Sequence, residues 1–283
     1  MADFQWRPLR DIDRGQLREA RLQAHYAVQW LARAARAYIP PQMADIHTSL
    51  RWDHTFDCFM TRPFRDRSRL SLQIINLTLT LHGADGSSQP LPLNGRADTE
   101  ARQWLGERLA ARGLDPQALD APSPYEMPEH AITRGAAYDV NSGADALAEI
   151  AAYFTNAEFF LDRIEKEMIA HQFPASPVRC WPHHFDLATL TMLPNRDPDM
   201  MGSVGTGISP GDEYYDEPYF YVSVYPEPEP ASLPALPPLG HWHGHDFVAA
   251  ILPAHKIISA KDQAAATGDF LQRAVAIALK LLM

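Results

Sequence analysis

The sequence predicts an α+β protein, with antiparallel sheet covered by long helices. Three observations carry that reading. Stretches of helical periodicity run over residues 17–38 and 147–168. A strand-like stretch follows each of them. Those two stretches share the pattern W-x-H-x-F-D, as Trp52-Asp53-His54-Thr55-Phe56-Asp57 and as Trp181-Pro182-His183-His184-Phe185-Asp186. One order written twice implies an internal duplication of an α-β-β-β-α unit with an approximate two-fold. The repeats would span residues 1–130 and 131–283, as two domains or fused into one.

The elements follow in order. Leu17, Ala20, Ala24, Val28, Leu31 and Ala35 recur at helical spacing, Asp13 with Gln16 reads as a capping box, and Pro40-Pro41 ends the helix. A strand over 49–61 carries the first W-x-H-x-F-D. From Ile75 the chain alternates, with Leu77, Leu79 and Leu81 on one face and Thr78, Thr80 and His82 on the other. Gly83-Ala84-Asp85-Gly86 is a turn, a short strand covers 90–93, and a helix over 99–112 has Asp98 at its cap and Gly113 past its end. A proline-rich connector over 115–129 leads to the second long helix, capped by Ser142 and Asp145 and stopped by Pro174 and Pro177. WPHHFDLATLTML reads as a strand and MGSVGTGISPGD as a glycine-punctuated segment. PYFYVSVY is a strand, PEPEPASLPALPP a stiff linker, and GHWHGHDFVAAIL one more strand. Ser259 caps a final helix from about residue 261.

Composition bounds the function. The 283 residues are 46% hydrophobic and 21% charged, as in ordinary globular chains. A net charge of −10 argues against nucleic acid and anionic membranes, which require a basic surface. No apolar run suits a signal peptide or a membrane span. Cys58 and Cys180 sit in apolar company and read as buried thiols, so a cytoplasmic, reducing setting is expected. Apolar Leu281, Leu282 and Met283 at the end of the last helix suggest a homodimer contact.

Several stretches carry chemistry. On a regular strand Trp52, His54 and Phe56 share one face, as do Trp181, His183 and Phe185. A histidine between two such aromatics is first a hydrogen-bonded core residue. His184 and Asp186, at i and i+2, form a catalytic candidate, an imidazole oriented by a carboxylate. His241, His243 and His245 alternate on a strand, so three imidazoles could hold a divalent metal with Asp246 adding an oxygen; a solvated loop explains them as well. Gly202, Gly205, Gly207 and Gly211 do not spell a dinucleotide fingerprint, and Ser209 lacks a nucleophile elbow. Asp212, Glu213, Asp216 and Glu217 lie among Tyr214, Tyr215 and Tyr219. They read equally as a site for a cation or polar ligand with tyrosine walls, or as a solvated loop.

The second half also resembles an uncharacterised bacterial family with the patterns L-W-P-x-H-F-D-x-A and S-P-G-D-x-x-x-x-E-P-Y-x-Y-V. The matching positions are Trp181, Pro182, His184, Phe185 and Asp186, then Ser209 to Asp212, Glu217, Pro218, Tyr219, Tyr221 and Val222. The whole chain more loosely resembles a related domain of unknown function. The resemblance implies kinship and no activity. It favours His184, Asp186, Asp212 and Glu217 as a site, with Trp181, Tyr219 and Tyr221 lining it. The expected function is small-molecule binding or catalysis there; the alternatives are an interaction module using the acidic tyrosine-rich surface, or a metalloprotein using His241, His243 and His245.

Overall fold

A computed structural model describes residues 4–194 and 201–283. The chain divides into two compact units. The first comprises Ile12–Ala151 with Cys180–Phe185, and the second Met1–Asp11, Ala152–Arg179 and Asp186–Met283. Both are helices with antiparallel sheet, so the α+β class holds.

In the first unit α1 (Arg14–Tyr38) is capped by Asp13, whose carboxylate accepts the Gln16 N–H at 3.0 Å. A meander follows: β1 (Arg51–Asp53), β2 (Cys58–Met60), β3 (Arg69–Gln73), β4 (Thr78–His82) and β5 (Ser88–Pro92), paired in that order. Leu79 and Leu81 point inward and are fully buried with Leu70, Leu72, Trp30 and Leu31. α2 (Asp98–Ala110) closes the meander.

Three expectations change here. The single strand over 49–61 is a hairpin, with residues 54–57 forming its turn. The alternation from Ile75 hides a second turn over 74–77, where Leu77 adopts φ 45° and the Asn76 side chain accepts the Thr78 N–H. At the second turn the buried apolar set switches from Leu70, Leu72 and Ile74 to Leu77, Leu79 and Leu81, a change of phase that marks the corner; the first turn carries no such mark. Asp98 is the first residue of α2 rather than its cap. Its Oδ1 instead accepts from the Trp30 indole at 2.7 Å and the Tyr138 hydroxyl at 2.9 Å. Those are two buried donors that need a partner.

α3 (Ala144–Ala170) belongs to the first unit up to Ala151 and to the second from Ala152. β6 (Arg179–Trp181) is where the chain passes into the first unit again. The remaining strands are β7 (Asp186–Pro194), β8 (Met201–Ser209), β9 (Tyr219–Tyr225), β10 (His241–His245) and β11 (Phe247–Pro253). The sheet order is β10-β11-β9-β8-β7-β6. The glycine-punctuated segment is therefore a sheet-interior strand, β8. The GHWHGHDFVAAIL strand is a hairpin turned at Asp246, φ 67°. α4 (Ala254–Ile258) follows, then α5 (Gln263–Leu282), capped by Asp262 rather than Ser259.

Register and period two sort the second sheet's faces. Gly202, Val204, Thr206 and Ile208 share a face with Phe220, Val222 and Val224, and α5 packs against that face. A side chain on Gly202 would meet Leu282, and one on Gly240 would meet Phe270. Leu282 is thus covered within its own unit, which removes it from the proposed homodimer contact; Met283 stays exposed. The opposite face carries Gly205, Gly207 and Ser209, Tyr219 and Tyr221, Ile251, His241 and His243.

Both sheets follow a long helix and precede another. Their orders differ, a plain meander against one in which β11 is inserted between β9 and β10. The two W-x-H-x-F-D copies also fold differently. In the first, Phe56 N–H bonds Asp53 O at 3.2 Å and Asp57 takes φ 49°; in the second, Phe185 N–H bonds Trp181 O at 2.8 Å and Phe185 itself takes φ 58°. The left-handed residue has moved one position, which turns the side chains. Phe56 is 63% exposed and Phe185 1%.

Candidate functional site

The WPHHFD segment is a turn, not a strand, so residues 182–185 do not alternate and the premise that set His184 beside Asp186 falls. In the first unit this turn is held by α1. His25 Nε2 and Gln29 Nε2 both bond the Pro182 carbonyl at 2.8 Å. The His25 ring stacks on Phe185, with centroids 5.2 Å apart and planes 8° apart. The His183 and His184 rings lie 4.1 Å apart with their planes tilted by 47°, and Trp181 meets His183 edge-on at 6.2 Å. Burial pushes His25 down to about 4, helped by like charge from Arg21, His184 and His183; the bond to the Pro182 carbonyl opposes the shift. Burial also lowers His183 to about 4, with His184 adding like charge.

The motif residues of the second unit converge. β7 begins with Asp186, whose Oδ2 accepts the Tyr221 hydroxyl of β9 in a short hydrogen bond. The phenol crosses β8 to reach it. A Cβ on Gly207 would lie 2.6 Å from Tyr221 Oη and 2.8 Å from Ala188 Cβ, so only glycine clears the way. Asp212 accepts the Tyr219 hydroxyl on Oδ2 and the Tyr214 and Tyr215 N–H groups on Oδ1, at 2.9 and 3.0 Å. It therefore folds the S-P-G-D loop onto β9. Burial raises the Tyr219 pKa, and the Asp212 charge raises it further, so this phenol remains a proton donor.

Glu217 is the second anchor. Its Oε2 accepts the His255 N–H at 2.8 Å and its Oε1 bonds His255 Nδ1 at 2.7 Å. The Glu217 side chain is 9% exposed and the His255 side chain 50%. The carboxylate thus fixes the Nδ1–H tautomer, leaving Nε2 as the lone-pair nitrogen. Of the four acids in this segment, Asp212 and Glu217 turn to internal partners; Glu213 and Asp216 are exposed.

β10 lies beside this group. Tyr215 Oη is 2.9 Å from His241 Nε2 and 3.1 Å from His243 Nδ1. His243 stacks on Phe247 at 4.1 Å and its Nε2 bonds the His245 carbonyl. His245 stands apart, 88% exposed and paired with Asp246. Burial lowers the His241 pKa, as do the charges of His243, His255 and Lys256. Among the described residues no group of three or more His, Cys, Asp or Glu is placed to hold a metal ion.

The structure thus assembles Asp186, Asp212, Glu217, Tyr219, Tyr221, His241 and His243 in one unit, while Trp181 and His184 belong to the other. His25 and His255 escaped the sequence reading. His25 sits inside an apolar helical repeat, and His255 gains meaning only through Glu217, which is distant in sequence. From the sequence alone Tyr215 is only one of the tyrosines of a stacking wall.

The class defined so far is an α+β protein with a tyrosine–carboxylate–histidine face on an antiparallel sheet. The chain belongs to the Family of unknown function (DUF5996), whose model matches residues 16–282. No curated protein and no solved structure matches the chain.

Proposed function

We propose that the protein binds a small polar molecule at the tyrosine–histidine face of its second unit, with His255 as the proton acceptor. The observation that carries this is the Glu217–His255 pair. A buried carboxylate grips both the backbone and the ring of a half-exposed histidine, the geometry that orients a general base. The phenols of Tyr215, Tyr219 and Tyr221, held by the β10 histidines, Asp212 and Asp186, supply fixed polar groups in the same unit. The role first given to His184 and Asp186 passes to His255 and Glu217, because Asp186 is engaged by Tyr221. The inward turn of Asp212 and Glu217 supports a site over a purely acidic docking surface. We read the setting as bacterial and cytoplasmic, in keeping with two buried thiols and with no described helix long and apolar enough to cross a membrane.

The test is a thermal-shift screen of a polar metabolite library on wild type, His255→Gln and Glu217→Gln. Ligands that stabilise wild type should lose at least tenfold in affinity in both variants. If both variants melt lower yet keep every ligand, Glu217 is only the cap of α4 and the reading is wrong.

A further inference from the structure

We propose that Tyr215, His241 and His243 form a binding site for a divalent first-row transition metal. His241 and His243 lie at i and i+2 on β10, so the strand itself aims both rings to one side. The loop after Asp212 brings the Tyr215 phenol between them. The site therefore comes from two separate chain stretches, and its third donor is an oxygen that the histidine spacing does not announce.

The distances suit an ion. With bonds of about 2.0–2.1 Å, neighbouring ligand atoms stand roughly 2.9 Å apart at a right angle and roughly 3.3 Å apart at a tetrahedral angle. The two N···O edges here are 2.9 and 3.1 Å. The tautomer suits it as well. His243 Nε2 donates to the His245 carbonyl, so Nδ1 carries the lone pair that faces the phenol. A second ring nitrogen bonded to a backbone carbonyl is the usual outer-shell support of a metal-binding histidine. The ring is further fixed by stacking on Phe247 and by the edge of Tyr214 at 5.3 Å. Asp212 holds the Tyr215 N–H and places a negative charge near the site, which favours a cation.

His245, the third member of the sequence triplet, is excluded: its ring pairs with Asp246 and its carbonyl is taken by His243. Three protein donors leave open positions on the ion, as in catalytic rather than structural sites. Imidazole and phenolate together suit Zn(II) or Cu(II). On binding, His241 must present a bare Nε2 and Tyr215 must lose its hydroxyl proton to solvent. Because binding displaces that proton, affinity should rise with pH.

The experiment titrates chelator-stripped full-length protein with Zn(II), and separately with Cu(II), by calorimetry in two buffers of different ionisation enthalpy. The expected result is one saturable site per chain with proton release, and a phenolate-to-metal charge-transfer band with Cu(II). Tyr215→Phe and His243→Gln should each weaken binding at least tenfold, while His245→Ala should leave it within twofold. Circular dichroism checks that each variant is folded. No saturable binding, retained affinity in either Tyr215→Phe or His243→Gln, or an equal loss in His245→Ala overturns the proposal. Glu217→Gln should keep the metal and lose the polar ligands, so this site and the His255 reading fail separately.

Discussion

Gly207 shows how one missing atom organises a site. It removes the methyl that would block the Tyr221 phenol on its way to Asp186, since a Cβ there would stand 2.7 Å from Tyr221 Cζ and 2.8 Å from Ala188 Cβ. Gly207→Ala should therefore destabilise the second unit by about 1–3 kcal/mol, the usual range for overpacking. Adding Tyr221→Phe should not relieve the clash, because ring carbon remains in place; Tyr221→Ala should relieve much of it. Denaturant unfolding of the single and double variants checks this, and an unchanged midpoint for Gly207→Ala would remove the steric reading. Asp98 offers a second case. Its Oδ1 serves the Trp30 indole and the Tyr138 hydroxyl, and burial with the Asp98 charge holds that phenol protonated well above its ordinary range. Asp98→Ala strands two buried donors and should lose about 2–5 kcal/mol by the same measurement.

Among the elements, α1 has a function that its apolar periodicity conceals. Through His25 and Gln29 it clamps the Pro182 carbonyl and so fixes the second W-x-H-x-F-D turn. His25 is 8% exposed and is lowered from 6.5 to about 4. The folded state thus binds fewer protons than the unfolded state between those values. The contribution is whole above pH 6.5 and is lost as pH falls through about 4, amounting to about 3 kcal/mol. Unfolding free energy measured from pH 7 down to pH 4 should show this fall together with a similar one from His183, which is lowered to the same value, and His25→Gln should remove up to about half of the total. A variant with the wild-type slope would assign the pH dependence elsewhere. The thiols are equally sheltered. Cys58 is buried on β2 and burial pushes it up to about 12, so native protein should react with an aromatic disulfide far more slowly than denatured protein, which exposes both thiols.

Across the whole molecule, α+β class, the long helices, the strand PYFYVSVY and most of the site's residue types were legible in the sequence. Each follows from local causes: apolar spacing at 3.6 or 2, proline stops, and β-branched or aromatic enrichment. The motif favoured His184, Asp186, Asp212 and Glu217 together; Asp186, Asp212 and Glu217 share a unit, while His184 belongs to the other. The hairpins at 54–57, 74–77 and 246 were not legible, because no Asn-Gly or Gly-rich pair marks the corner; only a change of phase in the apolar set at 74–77 betrays one of them. Sheet order was equally hidden, since the exchange of β10 and β11 depends on pairing across a proline-rich stretch. The repeated hexapeptide is the sharpest case. Identical residues at four positions yield a buried Phe185 and an exposed Phe56, because the left-handed residue falls at a different place in each turn.

The sequence by itself determined which side chains this protein has for chemistry and the periodicities that make its helices and strands, because those depend on neighbours along the chain. The tertiary structure decided which carboxylate serves which donor. Asp186 meets Tyr221, Glu217 meets His255, and Tyr215 enters between His241 and His243. Each pairing joins stretches far apart in sequence, and only the register of β7 to β11 brings their polar atoms within hydrogen-bonding distance.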